Sequence, residues 1–115
     1  MIDMPKAVFH IDELDKWPHA LANVQNLWQY GQAQQLTYDV VVLVNGAAIT
    51  GYLQAQLQAK IAILQQQGIH FHACQNAMAS HDITPDFLPA GVLVVPAGVA
   101  DLIALQDAGY RYIKP

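Results

Sequence analysis

Two runs of consecutive aliphatic residues, Val40-Val41-Val42-Leu43-Val44 and Val92-Leu93-Val94-Val95, constrain this chain more than any other feature. Neither alternates apolar with polar residues, so neither reads as a strand with one wet face. Each predicts a strand covered on both sides, as in a parallel sheet enclosed by helices. Residues 7–11 and 69–73 are β-rich as well, and residues 110–113 form a weaker fifth run.

The intervening segments carry helical spacing. Trp17, Leu21, Val24 and Trp28 recur on one face, with Asp15 near the start, Pro18 compatible only with a first turn, and Gly31 offering a stop. Leu53, Leu57, Ile61 and Leu64 repeat the pattern beneath an outer face of Gln54, Gln58 and Gln65, and Gly68 stands where a left-handed cap belongs. Val99, Leu102, Ile103 and Gln106 predict a helix with one shared face that ends at Gly109. Residues 76–80 allow a short helix, and at Thr84-Pro85-Asp86 a turn is expected, capped by Thr84 and begun by Pro85.

The order β-α-β-α-β-(short α)-β-α-β predicts the α/β class. The expected architecture is a three-layer α/β/α sandwich around a mostly parallel five-stranded sheet, a flavodoxin-like variant with right-handed crossovers. A length of 115 residues suits one domain, residues 1–115, with no linker or repeat to divide it.

Composition limits the partners. Charged residues make up 12% of the chain, against roughly 25% in an average soluble domain, and hydrophobic residues 54%. So few charges leave apolar surface uncovered, which predicts a homo-oligomer, a dimer or larger. The net charge is −4, and Lys6, Lys16, Lys60, Arg111 and Lys114 are scattered, so no cationic cluster exists to hold nucleic acid. No apolar run approaches the length of about 20 residues that spans a bilayer, and the N-terminal stretch lacks a basic-then-apolar leader pattern. A cytoplasmic, membrane-free protein is expected. A single cysteine, Cys74, leaves no internal disulfide and one thiol to explain.

Ligands of open parallel sheets bind beyond the carboxyl ends of the strands. The residues there are Asp12, Asn45-Gly46, Cys74-Gln75-Asn76 and Pro96-Ala97-Gly98. Cys74, between a strand and a possible short helix, would be ionised more easily by backbone N–H groups and the helix dipole, making it a nucleophile or sulfur carrier. Position alone equally allows a buried, inert cysteine. His10, near the end of the first strand, is a candidate acid, base or hydrogen-bond donor beside Cys74, though a structural histidine fits the position too. Asn45, Gly46, Asn76, Pro96 and Gly98 are candidate ligand-binding residues.

Several chemistries find little footing. His70, His72 and Cys74 project to one face and could take zinc with His81 or Asp82, but their spacing is not a familiar zinc pattern, and no metal is assigned. Gly46 and Gly51 have P-loop spacing, yet Tyr52 and Leu53 replace the Lys and Ser/Thr that hold phosphate and magnesium. Ala79 and Ser80 stand where a cysteine-dependent phosphatase would place its arginine. There is no G-x-G-x-x-G and no nucleophile elbow, so no cofactor is expected.

Ordered segments along nearly the whole chain resemble the DsrE/DsrF-like family. They are Val8-Phe9-His10-Ile11-Asp12-Glu13 with Lys16-Trp17, Asn23 with Asn26-Leu27, Val44-Asn45-Gly46, Gly68-Ile69-His70-Phe71-His72-Ala73-Cys74-Gln75-Asn76, Val94-Val95-Pro96-Ala97-Gly98-Val99-Ala100-Asp101-Leu102-Ile103, and the ending from Gln106 to Pro115. The resemblance implies a five-stranded parallel sheet and a dimeric, trimeric or hexameric assembly. In sulfur-relay members a cysteine after the third strand carries sulfur as a persulfide, working with donor or acceptor proteins, and Cys74 matches that position. The surroundings Cys74-Gln75-Asn76-Ala77-Met78 look more like the branch without assigned activity. Three functions follow as expectations: a persulfide carrier, a non-catalytic small-ligand-binding module with a structural cysteine, and a redox sensor pairing Cys74 across a subunit interface.

Overall fold

β2 (Asp39–Val44) is buried from Val40 onward and forms the middle of the sheet. Burying an aliphatic side chain of this size contributes about 1.5–3 kcal/mol, so this run fixes the strand at the centre. The computed structural model, which describes residues 4–115, places β1 (Lys6–Ile11), β3 (His70–Cys74), β4 (Leu93–Val95) and β5 (Arg111–Ile113) around it in the order β4-β3-β2-β1-β5. Every neighbouring pair is parallel, with Val8 opposite Val41, Leu43 opposite His72, and Cys74 opposite Val95. The expected α/β architecture with a five-stranded parallel sheet is therefore present, in a strand order that differs from the flavodoxin order 2-1-3-4-5.

Right-handed crossovers determine where the helices lie. The steps from β1 to β4 all move the same way across the sheet, so α1 (Trp17–Gln34), α2 (Ala55–Gln66) and α3 (Gln75–Ser80) gather on one face. Leu21, Val24, Ile61 and Met78 pack there against Phe9, Val42 and Phe71. The return from β4 to β5 carries α4 (Gly98–Asp107) alone over the opposite face, where Leu102 meets Val8, Val41, Leu43 and Val95.

The helix ends follow the glycines in two cases. Gly68 has φ +93°, its N–H donates to Gln65 O at 3.0 Å, and the N–H of Ile69 donates to Leu64 O at 3.0 Å. That pair of bonds is a Schellman cap, and Gly109 (φ +97°) closes α4 in the same way.

Gly31 does not stop α1, which continues to Gln34 and turns at Gln35 (φ 58°). The glycine is there for space, since a Cβ would stand 2.6 Å from Leu36 O. Leu53 lies outside α2, at the exposed end of a 3₁₀ segment, Gly46–Leu53. The shared face expected of α4 also divides: Leu102 is buried, whereas Val99 and Ile103 are 64% and 63% exposed. A lone helix over a wide sheet buries one stripe and turns the other outward. β4 is an edge strand, and only Val95 of it is buried, so it is not the doubly covered strand its composition predicts. Thr84 gives its hydroxyl to the Asp86 carboxylate at 2.5 Å rather than capping backbone, while Pro85 does begin the 3₁₀ turn Pro85–Phe87. Among the described residues no helix is long and apolar enough to cross a membrane.

Candidate functional site

β3 and β4 are neighbours whose onward connections leave to opposite faces, β3 into α3 and β4 into α4. Chain ends that part in this way open a crevice at the carboxyl edge of a parallel sheet. Here the crevice is a cleft of about 330 Å³, lined by Asn45, Gly46, Cys74, Asn76, Ala77, Ser80, His81, Ala97, Gly98 and Val99. Cys74 is the last residue of β3, lines this cleft and is 6% exposed.

The sulfur accepts a hydrogen bond from the backbone N–H of Gly98 at 3.2 Å. Gly98 is the first residue of α4, and that N–H belongs to the set left without intrahelical partners at the positive end of a helix. A Cβ on Gly98 would lie 3.2 Å from Cys74 Cβ, 3.3 Å from Asn45 Cβ and 3.4 Å from Cys74 Sγ. Glycine is thus what lets α4 start this close to the sulfur. Gly46 serves the backbone differently: its φ is +57°, and a Cβ would stand 2.9 Å from Asp12 O.

Of the residues singled out from the sequence, Asn45, Gly46, Cys74, Asn76 and Gly98 meet at this cleft, whereas Pro96 is exposed and lies outside its lining. His10 does not sit beside Cys74. β2 separates their strands, a distance of two spacings of about 4.8 Å each. Instead His10 Nε2–H donates to Asn45 Oδ1 at 2.8 Å, and Nδ1 lies within hydrogen-bond distance of the Tyr112 hydroxyl at 2.5 Å. Sequence reasoning did not assign Tyr112, Ser80 or Val99 to a site, named Ala97 only as part of the segment after the fourth strand, and considered His81 only as a metal ligand. Tyr112 was hidden because its place opposite Val8 depends on the register of β5, which no local pattern announces.

Three polar side chains nearby are engaged in structure. His72 pairs with Asp101 of α4 at 2.7 Å, and His81 Nδ1–H donates to Ala77 O at 3.0 Å. Tyr52, fully buried, donates its hydroxyl to His72 O at 2.8 Å. Among the described residues no three His, Cys, Asp or Glu side chains converge as a metal site. At the β1 end of the same edge, Asp12 pairs with Lys114; that hydrogen bond holds the Asp12 carboxyl below its usual range and Lys114 above its own.

The DsrE/DsrF-like family model matches residues 20–115. The chain belongs to the DsrE/DsrF-like family. Solved structures of similar fold include the Methanobacterium thermoautotrophicum protein of unknown function MTH1491, 27% identical with a TM-score of 0.85, the match covering 96% of this chain and 99% of that one. The Escherichia coli ychN protein is 17% identical with a TM-score of 0.76, covering 97% and 100%. A Bacteroides thetaiotaomicron protein of unknown function, BT1422, is 16% identical with a TM-score of 0.77, covering 96% and 94%. No curated protein matches the chain. Within this DsrE-like fold the single cysteine closes β3.

Proposed function

We propose that this protein is a sulfur carrier, in which Cys74 accepts a sulfane sulfur as a persulfide and passes it to a thiol acceptor. The observation that carries the proposal is Cys74 in the lining of a cleft, its sulfur held by the Gly98 N–H at 3.2 Å. In the loading step the Cys74 thiolate attacks the outer sulfur of a donor persulfide, R–S–SH. The new bond is Sγ–S, the bond broken is the donor's S–S, and R–S⁻ leaves, with no net change in oxidation state. The N–H on Sγ supports its negative charge before attack, as backbone donors do for thiolates and oxyanions elsewhere.

Intact-mass spectrometry after incubation with an alkyl persulfide tests this. The expected result is one added sulfur on wild-type protein and none on Cys74→Ser. No adduct, or an equal one in the variant, would reject the carrier role.

A second reading, a non-catalytic module that holds a small ligand in the cleft, draws on the 6% exposure of Cys74. It expects the native thiol to resist a neutral disulfide reagent until the protein unfolds, whereas the carrier reading expects rapid native-state labelling.

The same proposal includes a cytoplasmic location, a donor or acceptor protein, and a homo-oligomer. The exposed side chains of Leu93, Val99 and Ile103 support self-association, since they leave apolar surface beside α4 that a second copy would cover.

A further inference from the structure

Asn45 lines the cleft and has one half of its carboxamide fixed. Its Oδ1 is taken by His10 Nε2–H, and among the described residues no group accepts a hydrogen bond from its NH₂. The side chain lines the cleft, and its Cβ and the Cys74 sulfur lie 3.3 Å and 3.4 Å from a common point, the place a Cβ on Gly98 would occupy. In the resting protein Sγ is served by the Gly98 N–H, with no bond from Asn45. A persulfide would put a second, more exposed sulfur about 2.05 Å beyond Sγ, in need of its own donor.

What fixes Asn45 lies two residues away along the hydrogen-bond chain. An imidazole that donates from Nε2 must, when neutral, accept at Nδ1. Tyr112 supplies the required donor, with its hydroxyl 2.5 Å from Nδ1 and its ring centroid 5.6 Å from that of His10. The Tyr112 hydroxyl therefore selects the His10 tautomer, and the tautomer selects which end of the Asn45 amide faces the cleft. Without this chain the amide could turn and present an acceptor oxygen to an anionic sulfur.

We propose that Tyr112 and His10 are positioning residues that hold the Asn45 NH₂ towards the cleft, where it donates to the outer sulfur of a persulfide on Cys74. This rests on the carrier reading of Cys74 and adds the residues that stabilise the loaded state. It assigns Tyr112, 42% exposed at the far side of the sheet edge, a role that its distance from the cysteine does not suggest.

The test is the equilibrium loading of Cys74 from glutathione persulfide, read by intact mass, in wild type and variants. Loss of a hydrogen bond to a charged group predicts a drop in the loading constant of about tenfold for Asn45→Ala. Tyr112→Phe and His10→Phe are expected to fall in the same direction. His10→Gln keeps a side-chain N–H near the position of Nε2, so it should load like wild type and become indifferent to Tyr112→Phe. That rescue separates positioning from a general structural effect, as does nitrogen NMR of the His10 ring, expected to show the Nε2–H form in wild type. Wild type that loads while Asn45→Ala and Tyr112→Phe load equally well would overturn the relay alone, and so would an Nδ1–H ring. Wild type that takes up no sulfur would instead remove the carrier reading, and the donor role of Asn45 with it.

Discussion

Gly51 lies against the indole of Trp17 so closely that a Cβ there would stand 2.1 Å from Nε1. The same nitrogen donates to Ala48 O at 2.8 Å, and the indole meets the Tyr52 ring edge-on at a centroid distance of 5.1 Å. Trp17 and Tyr52 are both fully buried. The segment Gly46–Leu53, with its P-loop-like glycine spacing, is therefore a packing element that seats the start of α1.

Gly51→Ala must push the indole aside and strain or break its hydrogen bond. Overpacking and one disrupted buried bond together predict a loss of about 3 kcal/mol. The midpoint of urea denaturation should fall accordingly with an unchanged slope. A variant as stable as wild type would show that the contact yields freely.

Gly98→Ala is a milder intrusion at the site itself. Its Cβ would lie 3.2 to 3.4 Å from Cys74 and Asn45, so its neighbours must give by a few tenths of an ångström. The expected cost is about 1 kcal/mol, at the lower end for an added methyl in a packed place. The methyl also narrows the approach to Sγ, so native-state labelling by a neutral disulfide reagent should slow. Thermal denaturation and labelling rates measured on one preparation distinguish a blocked mouth from a loosened fold, because loosening would speed labelling.

High pH should destabilise the protein through its tyrosines. Tyr110 donates to Asp39 at 2.7 Å, and desolvation, followed by that bond and the Asp39 charge, pushes its phenol from 10.0 up to about 12. The unfolded chain releases this proton near the ordinary value, so stability is lost as pH rises above about 10 and continues to fall until the folded phenol also ionises. Below that window both states keep the proton and the contribution is constant. Burial pushes Tyr52 in the same direction. Denaturant unfolding across this range should show a steeper alkaline decline in wild type than in Tyr110→Phe. At neutral pH the same variant should cost about 1 kcal/mol, the net worth of one hydrogen bond.

The sheet was legible because β2 is aliphatic from Val40 to Val44 and each helix pattern sits between two strand runs. Cys74 was placed at a strand end by the β-rich run before it, and that inference survives to within one residue, the cysteine being the last of β3. What the sequence withheld depends on contacts between distant segments. Gly31 reads as a helix stop, but its smallness answers to Leu36 and Tyr38 packing over it. Val99 and Ile103 have the spacing of a buried stripe, yet the topology brings α4 alone to its face and turns them outward. His10 was identified at the right edge of the sheet and assigned the wrong neighbour. Its true partners are Asn45, the residue after β2, and Tyr112, in the middle of β5, and they are united only by register.

That outward-facing stripe carries the last prediction. Val99 and Ile103 are one helical turn apart on α4, and Leu93, 56% exposed, lies on the β4 edge in register with His72, the partner of Asp101 on α4. With so few charges on the chain, these side chains favour contact with a second copy over contact with water. Wild type is expected to sediment as a dimer or larger at micromolar concentration. Ile103→Glu should weaken association by at least about tenfold, since a carboxylate enclosed in an apolar contact loses hydration without gaining a partner. Because Ile103 is exposed in the single chain, the variant should keep its melting behaviour at low concentration, where dissociation already prevails. A wild type that is monomeric throughout, or an Ile103→Glu variant that assembles like wild type, would place the contact elsewhere or remove it.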